Sequence, residues 1–258
     1  MTSKTAVVFT CAHVTPEIDN KRFDLLGKLL LDIKPDYVID LGDGADMKSL
    51  NSYDKGKPEA IVAQSYERDI DHYNDAQERI RHHIKKAKKK RPSFFGFEGN
   101  HEHRITTAIT LDPRLKGGKY GISTTHLNNN KWFDEYHDYI NGAPSLYSYD
   151  GITYAHFVGS GAYGNAMSSV HHGHALVTKL GCSTTVGHSH KFHYYIKAES
   201  RPSATQGLVA GCFKGGEESW AGQANNEWTK GVAIKRHIQD GTYDLQWVSM
   251  KALEAEYG

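Results

Sequence analysis

Sixteen of the 258 side chains are histidines, and several of them stand in short polar clusters directly after apolar runs. The clusters are Cys11-Ala12-His13, Gly42-Asp43-Gly44-Ala45-Asp46, Gly99-Asn100-His101-Glu102 and Gly187-His188-Ser189-His190, and His156 closes a fifth run, Ile152 to Phe157. Side chains at strand ends are aimed into a shared crevice rather than into the core. Imidazole, carboxylate and amide oxygen gathered there are ligands for divalent transition metals, and neutral imidazoles favour Mn, Fe, Ni or Zn over Mg or Ca. Glycine before Asp43, Asn100 and His188 is expected to permit the tight turn that presents each of them. Taken singly, a Gly-Asp step is more often a plain turn and a His-x-His pair more often surface chemistry. Four clusters in order, each after an apolar strand, point to one metal site.

The elements that must position these residues are legible from hydrophobic period. Thr5 to Thr10 and Tyr37 to Leu41 read as strands, with Phe23, Leu26, Leu29, Leu30 and Ile33 at helical spacing between them, which makes a βαβ unit. From about Glu59 to Lys90 the residues Tyr66, Ile70, Tyr73, Ile80, Ile84 and Ala87 share one helical face, and Pro92 ends the helix. Ser93 to Phe97 reads as a third strand. Strand-like runs resume at Ile152 to Phe157, Ser183 to Val186, Gly207 to Gly211 and Val232 to His237, and Asp240-Gly241 marks a hairpin turn into Tyr243 to Val248. Between them, Ile105 to Pro144 carries Gly117-Gly118, Asn128-Asn129-Asn130 and many aromatics, and reads as an inserted lid within one domain spanning residues 1–258. Trp132, Phe133, Tyr136 and Tyr139 in that segment are expected to be lid core rather than a platform for stacking bases.

Bulk composition narrows the function classes. With 31 basic and 30 acidic residues the net charge is +1, which excludes a generally polycationic nucleic-acid coat. At 38% hydrophobic and 24% charged the chain can bury a sizeable core, and no window approaches the roughly 18 apolar residues of a membrane span. Three scattered cysteines, Cys11, Cys182 and Cys212, are too few for a disulfide framework, and the first residues lack a secretory pattern, so a cytoplasmic setting is expected.

The stretches Leu41 to Asp46, Glu98 to Glu102 and Val186 to His190 carry Gly-Asp-x-x-Asp, Gly-Asn-His-Glu and Gly-His-x-His, and the sequence here resembles the calcineurin-like metallophosphoesterases. Tyr154 to Lys191 looks most like the phage-encoded branch. The resemblance implies a four-layered α/β/β/α sandwich with a two-metal centre at the strand ends. One metal would be held by His13, Asp43 and His190 and the other by Asp43, Asn100, His156 and His188, with Asp43 bridging. His101 would act as general acid or steady the transferring phosphoryl oxygen, and Asp46 or Glu102 would orient histidines from behind. The implied reaction is hydrolysis of a phosphomonoester or phosphodiester by metal-bound hydroxide, with Mn favoured by the resemblance. Physically, two cations roughly 3.5–4 Å apart can clamp a phosphoryl group and lower the pKa of bound water towards about 7.

The chain departs from the family's first motif at Cys11, where the family has aspartate. Cys11 either ligates, favouring Zn or Fe, or leaves a weakened first site, or is a small buried hydrophobe. The alternative function is therefore a catalytically impaired metal- or nucleic-acid-binding module. His171, His172 and His174 rival His156 as the strand-end ligand, His156 being preferred because it closes a strand. The basic run Lys85 to Arg91 is expected to be a solvated helix end, some 20 Å of strand away from the metals, so the expected substrate is a small or terminal phosphate ester, with nucleic acid as the competing partner.

Overall fold

The computed structural model describes residues 3–52, 56, 64–85, 91–117, 121–198 and 204–258, with only the backbone of residues 219 and 220. Thirteen strands and six α-helices are present among the described residues. The first sheet contains β1 (Lys4–Phe9), β2 (Tyr37–Asp40), β3 (Ser93–Phe97), β4 (Glu135–His137), β12 (Gly231–Gln239) and β13 (Thr242–Ser249), in the order β13-β12-β1-β2-β3-β4. The second contains β5 (Tyr147–Tyr149), β6 (Ile152–Ala155), β9 (Ser183–Val186), β10 (Phe192–Lys197) and β11 (Thr205–Ala210), in the order β10-β11-β9-β6-β5. A two-stranded ribbon, β7 (Gly159–Ser160) with β8 (Asn165–Ala166), stands apart.

The central strands of each sheet are buried on both faces, which explains the near-continuous apolar runs of β1, β2 and β6. In β1, Val7 and Phe9 pack with Phe23, Leu26 and Leu30 of α1 (Lys21–Ile33) and with Tyr73 and Ile80 of α2 (Tyr66–Lys85). Ala6 and Val8, one residue out of phase, pack instead with Tyr154 of β6 and Leu208 of β11 in the second sheet. The far face of that sheet is covered by α5 (His172–Leu180), whose Leu176 meets Val186 and Val209. The layering is thus α/β/β/α, as expected. The remaining helices are α3 (His103–Leu111), the single turn α4 (Asn129–Trp132) and α6 (Met250–Tyr257), whose Leu253 joins the outer core. No helix among the described residues is long and apolar enough to cross a membrane.

Direction places the site. β1, β2, β3 and β4 run parallel, as do β6, β9 and β11, so their carboxyl ends open into common loops. The Asp240-Gly241 turn has positive φ at both residues, 48° and 84°, as a two-residue hairpin joining β12 to β13 requires. Three expectations shift. The described helix runs from Tyr66 to Lys85; residues 57–63 and 86–90, including most of the basic run, lie outside the described residues. Of that run's described ends, Lys85 pairs with Glu78 and Arg91 with Asp134. The segment 105–144 is more than a lid, because Glu135–His137 pairs with β3 as the edge of the first sheet and Trp132 and Phe133 are buried in its outer core. The edge strand β10 and helix α6 appear where no periodic signal marked them.

Candidate metal centre

The loops leaving β1, β2, β3, β6 and β9 converge. Cys11 N donates to Gly42 O and His13 N to Asp43 O, at 2.9 Å each, while Gly187 N donates to His156 O at 3.0 Å. Close approach needs glycine at two of these crossings. A Cβ on Gly99 would lie 2.2 Å from Asp43 N, and one on Gly187 would lie 2.0 Å from Thr10 Oγ1. This corrects the expected reason for Gly99 and Gly187, whereas Gly42, at a φ of 90°, makes the tight turn before Asp43 as expected; beyond it the strained turns are made by the ligand residues themselves. Positive φ falls on Cys11 (50°), His13 (43°), Asp43 (54°), His188 (65°) and His190 (60°). A non-glycine residue held there costs on the order of 1–3 kcal/mol, and such strain concentrates at functional sites.

Two groups of donor atoms share Asp43. In the first, His13 Nε2 lies 3.0 Å from His190 Nε2 and 3.8 Å from Asp43 Oδ2. In the second, His156 Nε2 lies 3.2 Å from Asp43 Oδ2, 3.0 Å from Asn100 Oδ1 and 3.2 Å from His188 Nδ1, which is itself 2.9 Å from Asn100 Oδ1. The ligand atoms of Cys11, His13 and His190 lie within 4.8 Å of one another, as do those of Cys11, Asp43 and His156, so the thiol sits where the groups meet. Its Sγ accepts the His188 amide at 3.1 Å, and burial followed by the Asp43 charge raises its pKa well above the ordinary thiol value. His13, Asp46 and His101 form a third set of the same compactness.

The outward ring nitrogens fix the tautomers. His13 Nδ1 faces Asp46 Oδ1 at 3.1 Å and His156 Nδ1 faces Leu41 O at 2.8 Å, so each donates there and turns its Nε2 towards the cluster. Burial, with neighbouring cationic groups, pushes His13 and His188 down to about 4 and His190 to about 2, so all three offer lone pairs near neutrality. Burial would also depress His156, but Asp43 outweighs it and the pKa rises, so a proton competes with any cation for that nitrogen. Burial alone would raise Asp43, yet His156, His101 and His13 hold it well below the usual carboxylate range. A convergence of acceptors around one carboxylate, with protons turned outward, fits divalent cations.

His101 stands beside the cluster, its ring 4.4 Å edge-on from that of His13. Its amide donates to Asp43 Oδ1 at 2.9 Å and its Nδ1 lies 2.7 Å from Asp46 Oδ1; Asp43 and Asp46 together overcome burial and raise its pKa. Asp46 therefore does hold two histidines. Glu102, expected to share that task, instead accepts the main-chain amides of Asp43 and Gly99 at 3.0 Å each and of Ala45 at 2.7 Å, and so fixes the loops rather than the rings. Burial, then Asp43, lifts Glu102 to about 8.

The structure brings Cys11, His13, Asp43, Asn100, His101, His156, His188 and His190 together. His171, His172 and His174 stand on and before α5, where Gly173 N bonds His193 Nδ1 and the His174 ring meets Tyr195, and they enter none of the compact sets. Arg104 was not anticipated: it donates to Asp46 O at 2.8 Å and its guanidinium is 3.4 Å from His101 Nε2. Its i+3 spacing from His101 at the start of α3 was a usable signal. Lys214 and Trp228 were missed as neighbours, the latter placing its ring 4.8 Å from that of His190.

No family model matches the chain, and no curated protein matches it. Among solved structures it is similar to YfcE, a phosphoesterase from E. coli, at 10% identity and a TM-score of 0.37, covering 95% of this chain and 99% of that one. At that distance the likeness carries no residue across.

Proposed function

We propose that the chain is a metal-dependent phosphoesterase with a binuclear centre. The observation that carries this is the pair of acceptor groups joined by Asp43, with the protons of His13 and His156 turned outward onto Asp46 and Leu41. His13, His190, Asp43 and the Cys11 sulfur would hold one cation, and Asp43, Asn100, His156 and His188 the other. Two bound cations would supply the positive charge that phosphoryl oxygens gather in the transition state and would acidify a water nucleophile.

The chain's own residues supply the rest. His101, its Nδ1 held by Asp46 and its proton favoured by two carboxylates, keeps an Nε2 proton to give to a leaving oxygen. Arg104 donates to the Asp46 carbonyl, and its guanidinium, 3.4 Å from that nitrogen, opposes the proton there and so eases its release. Phe157, 4.9 Å from the His188 ring, and Tyr139, stacked on His103 at 4.5 Å, wall one side and support a small or terminal ester as substrate. The unpaired cysteines agree with a reducing, cytoplasmic setting.

The competing reading, a module with an impaired first site, is favoured by one observation: the Cys11 thiol resists ionisation and already serves the His188 amide. Titrating metal-free protein separately with Mn, Ni, Fe and Zn, following stoichiometry and hydrolysis of an aryl phosphate, decides between them. Two equivalents with turnover supports the enzyme. One equivalent without turnover removes it.

A further inference from the structure

A cavity of about 1020 Å³ lies beside the candidate metal centre, between α1, the loop 214–216, the end of β13 and α6. It shares a wall with the centre. Trp228 lines the cavity and meets the His190 ring at 4.8 Å, and the next residue, Thr229, donates its amide to His190 O at 2.9 Å. On the other side Arg22 lines the cavity and donates to Ala12 O at 3.0 Å, between Cys11 and His13. Lys214, also in the wall, places its Nζ 5.3 Å from the centre of the Trp228 ring.

The lining has a definite chemistry. Its cations are Lys21, Arg22, Lys28, Lys230 and Lys251, besides Lys214, which pairs with Glu218 at 2.8 Å. The hydrogen bonds of Arg22, Lys28 and Lys230 go to main-chain carbonyls, which leave their charge uncancelled. Three acids line the cavity, Asp19, Asp24 and Glu254, and Asp24 is already engaged by Arg79 at 2.7 Å and His83 at 3.0 Å. A second indole, Trp247, joins Trp228. Aromatic rings set among surplus cations suit a ligand with both a flat ring and phosphate charge. The volume is that of a small-molecule site, for which pockets of roughly 300–1,000 Å³ are typical.

We propose that this cavity binds the nucleoside phosphate portion of the substrate, a free nucleotide or the terminal nucleotide of a strand, and delivers its phosphate ester to the adjoining centre. The delivery step rests on the phosphoesterase reading; the binding step does not.

The test is tryptophan fluorescence of the metal-free full-length protein titrated with thymidine 5′-monophosphate. Saturable quenching that weakens with added salt is expected, with Trp228→Leu removing much of the signal. The double variant Lys21→Glu/Lys251→Glu should weaken binding by about tenfold or more, since each lost charged contact is substantial. Both lysines are exposed and Lys21 opens a helix, where an acidic residue is favourable, so the fold should persist, checked by thermal melting. A thymidine pentanucleotide with a 5′ phosphate separates the two sources: tighter binding than the monophosphate supports a strand end, equal binding a free nucleotide. Absence of saturable binding, binding unchanged in the double variant, or equal competition by a glutamate-rich peptide would overturn the proposal. Hydrolysis of bis(4-nitrophenyl) phosphate by the Mn-loaded parent is read in parallel. Nucleotide binding without any hydrolysis sinks the phosphoesterase reading and leaves the cavity; hydrolysis without nucleotide binding sinks only the cavity.

Discussion

Two buried polar clusters occupy the same sandwich and are built on opposite terms. At the strand ends, five residues of the candidate metal centre sit at positive φ and their acceptor atoms face one another at 2.9–3.2 Å in the closest contacts. In the middle of the sandwich, Lys235 of β12 is fully buried on extended strand backbone, just before an irregularity at His237 (φ 53°) where the pairing register shifts. Its Nζ donates to Thr185 Oγ1 at 2.5 Å and to Tyr154 Oη at 3.3 Å, and it lies over the rings of Tyr154 at 4.5 Å and Tyr243 at 4.2 Å. The Lys235 cluster answers its donor from within. The strand-end cluster gathers acceptors and stores strain, which is the arrangement of groups meant to be completed by something added. Burial and polarity alone therefore do not mark a functional site; unanswered acceptors on strained backbone do.

The contrast breaks most severely if the strand-end acceptors prove expendable. Asp43→Asn and His188→Ala are each expected to bring aryl phosphate hydrolysis to background, because one removes the shared anion and the other a nitrogen of the second group, while the fold survives. Parent-like turnover in purified variants of known metal content would end the two-metal assignment. Next in size, His101→Ala should slow turnover by about 10²–10⁴-fold with metal content near that of the parent, as for loss of a general acid. Metal lost from that variant would make His101 a ligand instead.

Cys11 sharpens the comparison within the centre itself. Aspartate tolerates positive φ better than most residues and brings a harder donor, so Cys11→Asp should raise Mn occupancy of the first group and Cys11→Ala should lower it, by roughly 10–100-fold in affinity. Identical stoichiometry and activity in all three proteins would make Cys11 a core filler. The smallest effect is expected at Lys235. Burial depresses its pKa well below the lysine value, so between the folded and unfolded pKa the unfolded chain binds a proton that the folded chain does not. The contribution of Lys235 to stability should then rise with pH through this window, up to the unfolded value of about 10.4. Lys235→Met should abolish the rise and stabilise by about 1–2 kcal/mol near pH 7. Urea midpoints at pH 7, 8 and 9, compared between parent and variant so that the opposing contributions of the buried cysteines and tyrosines cancel, measure it; parallel curves for the two proteins would refute it.

Much of this was legible in one dimension because it is local. A strand must alternate or be apolar throughout, a helix must repeat every three to four residues, and a ligand placed one step past a strand shares its direction with its neighbours. So β1, β2, β3, β6 and β9, the βαβ entry, the Asp240-Gly241 hairpin and the residues gathered at the strand ends follow from pattern. The tertiary structure alone decided matters that depend on which surfaces meet. It separates His156 from His172, which sequence spacing could not, because only one lies where β6 ends against the Leu41 carbonyl. It turns Glu102 onto three amides of two different loops. It adds Glu135–His137 to a sheet edge, where three residues are too few to announce a period. It also brings Lys21, Trp228 and Lys251 around one cavity, though more than two hundred positions separate the first from the others. Contacts of that kind are set by how the sheets and helices close on each other, and no local preference of the chain encodes them.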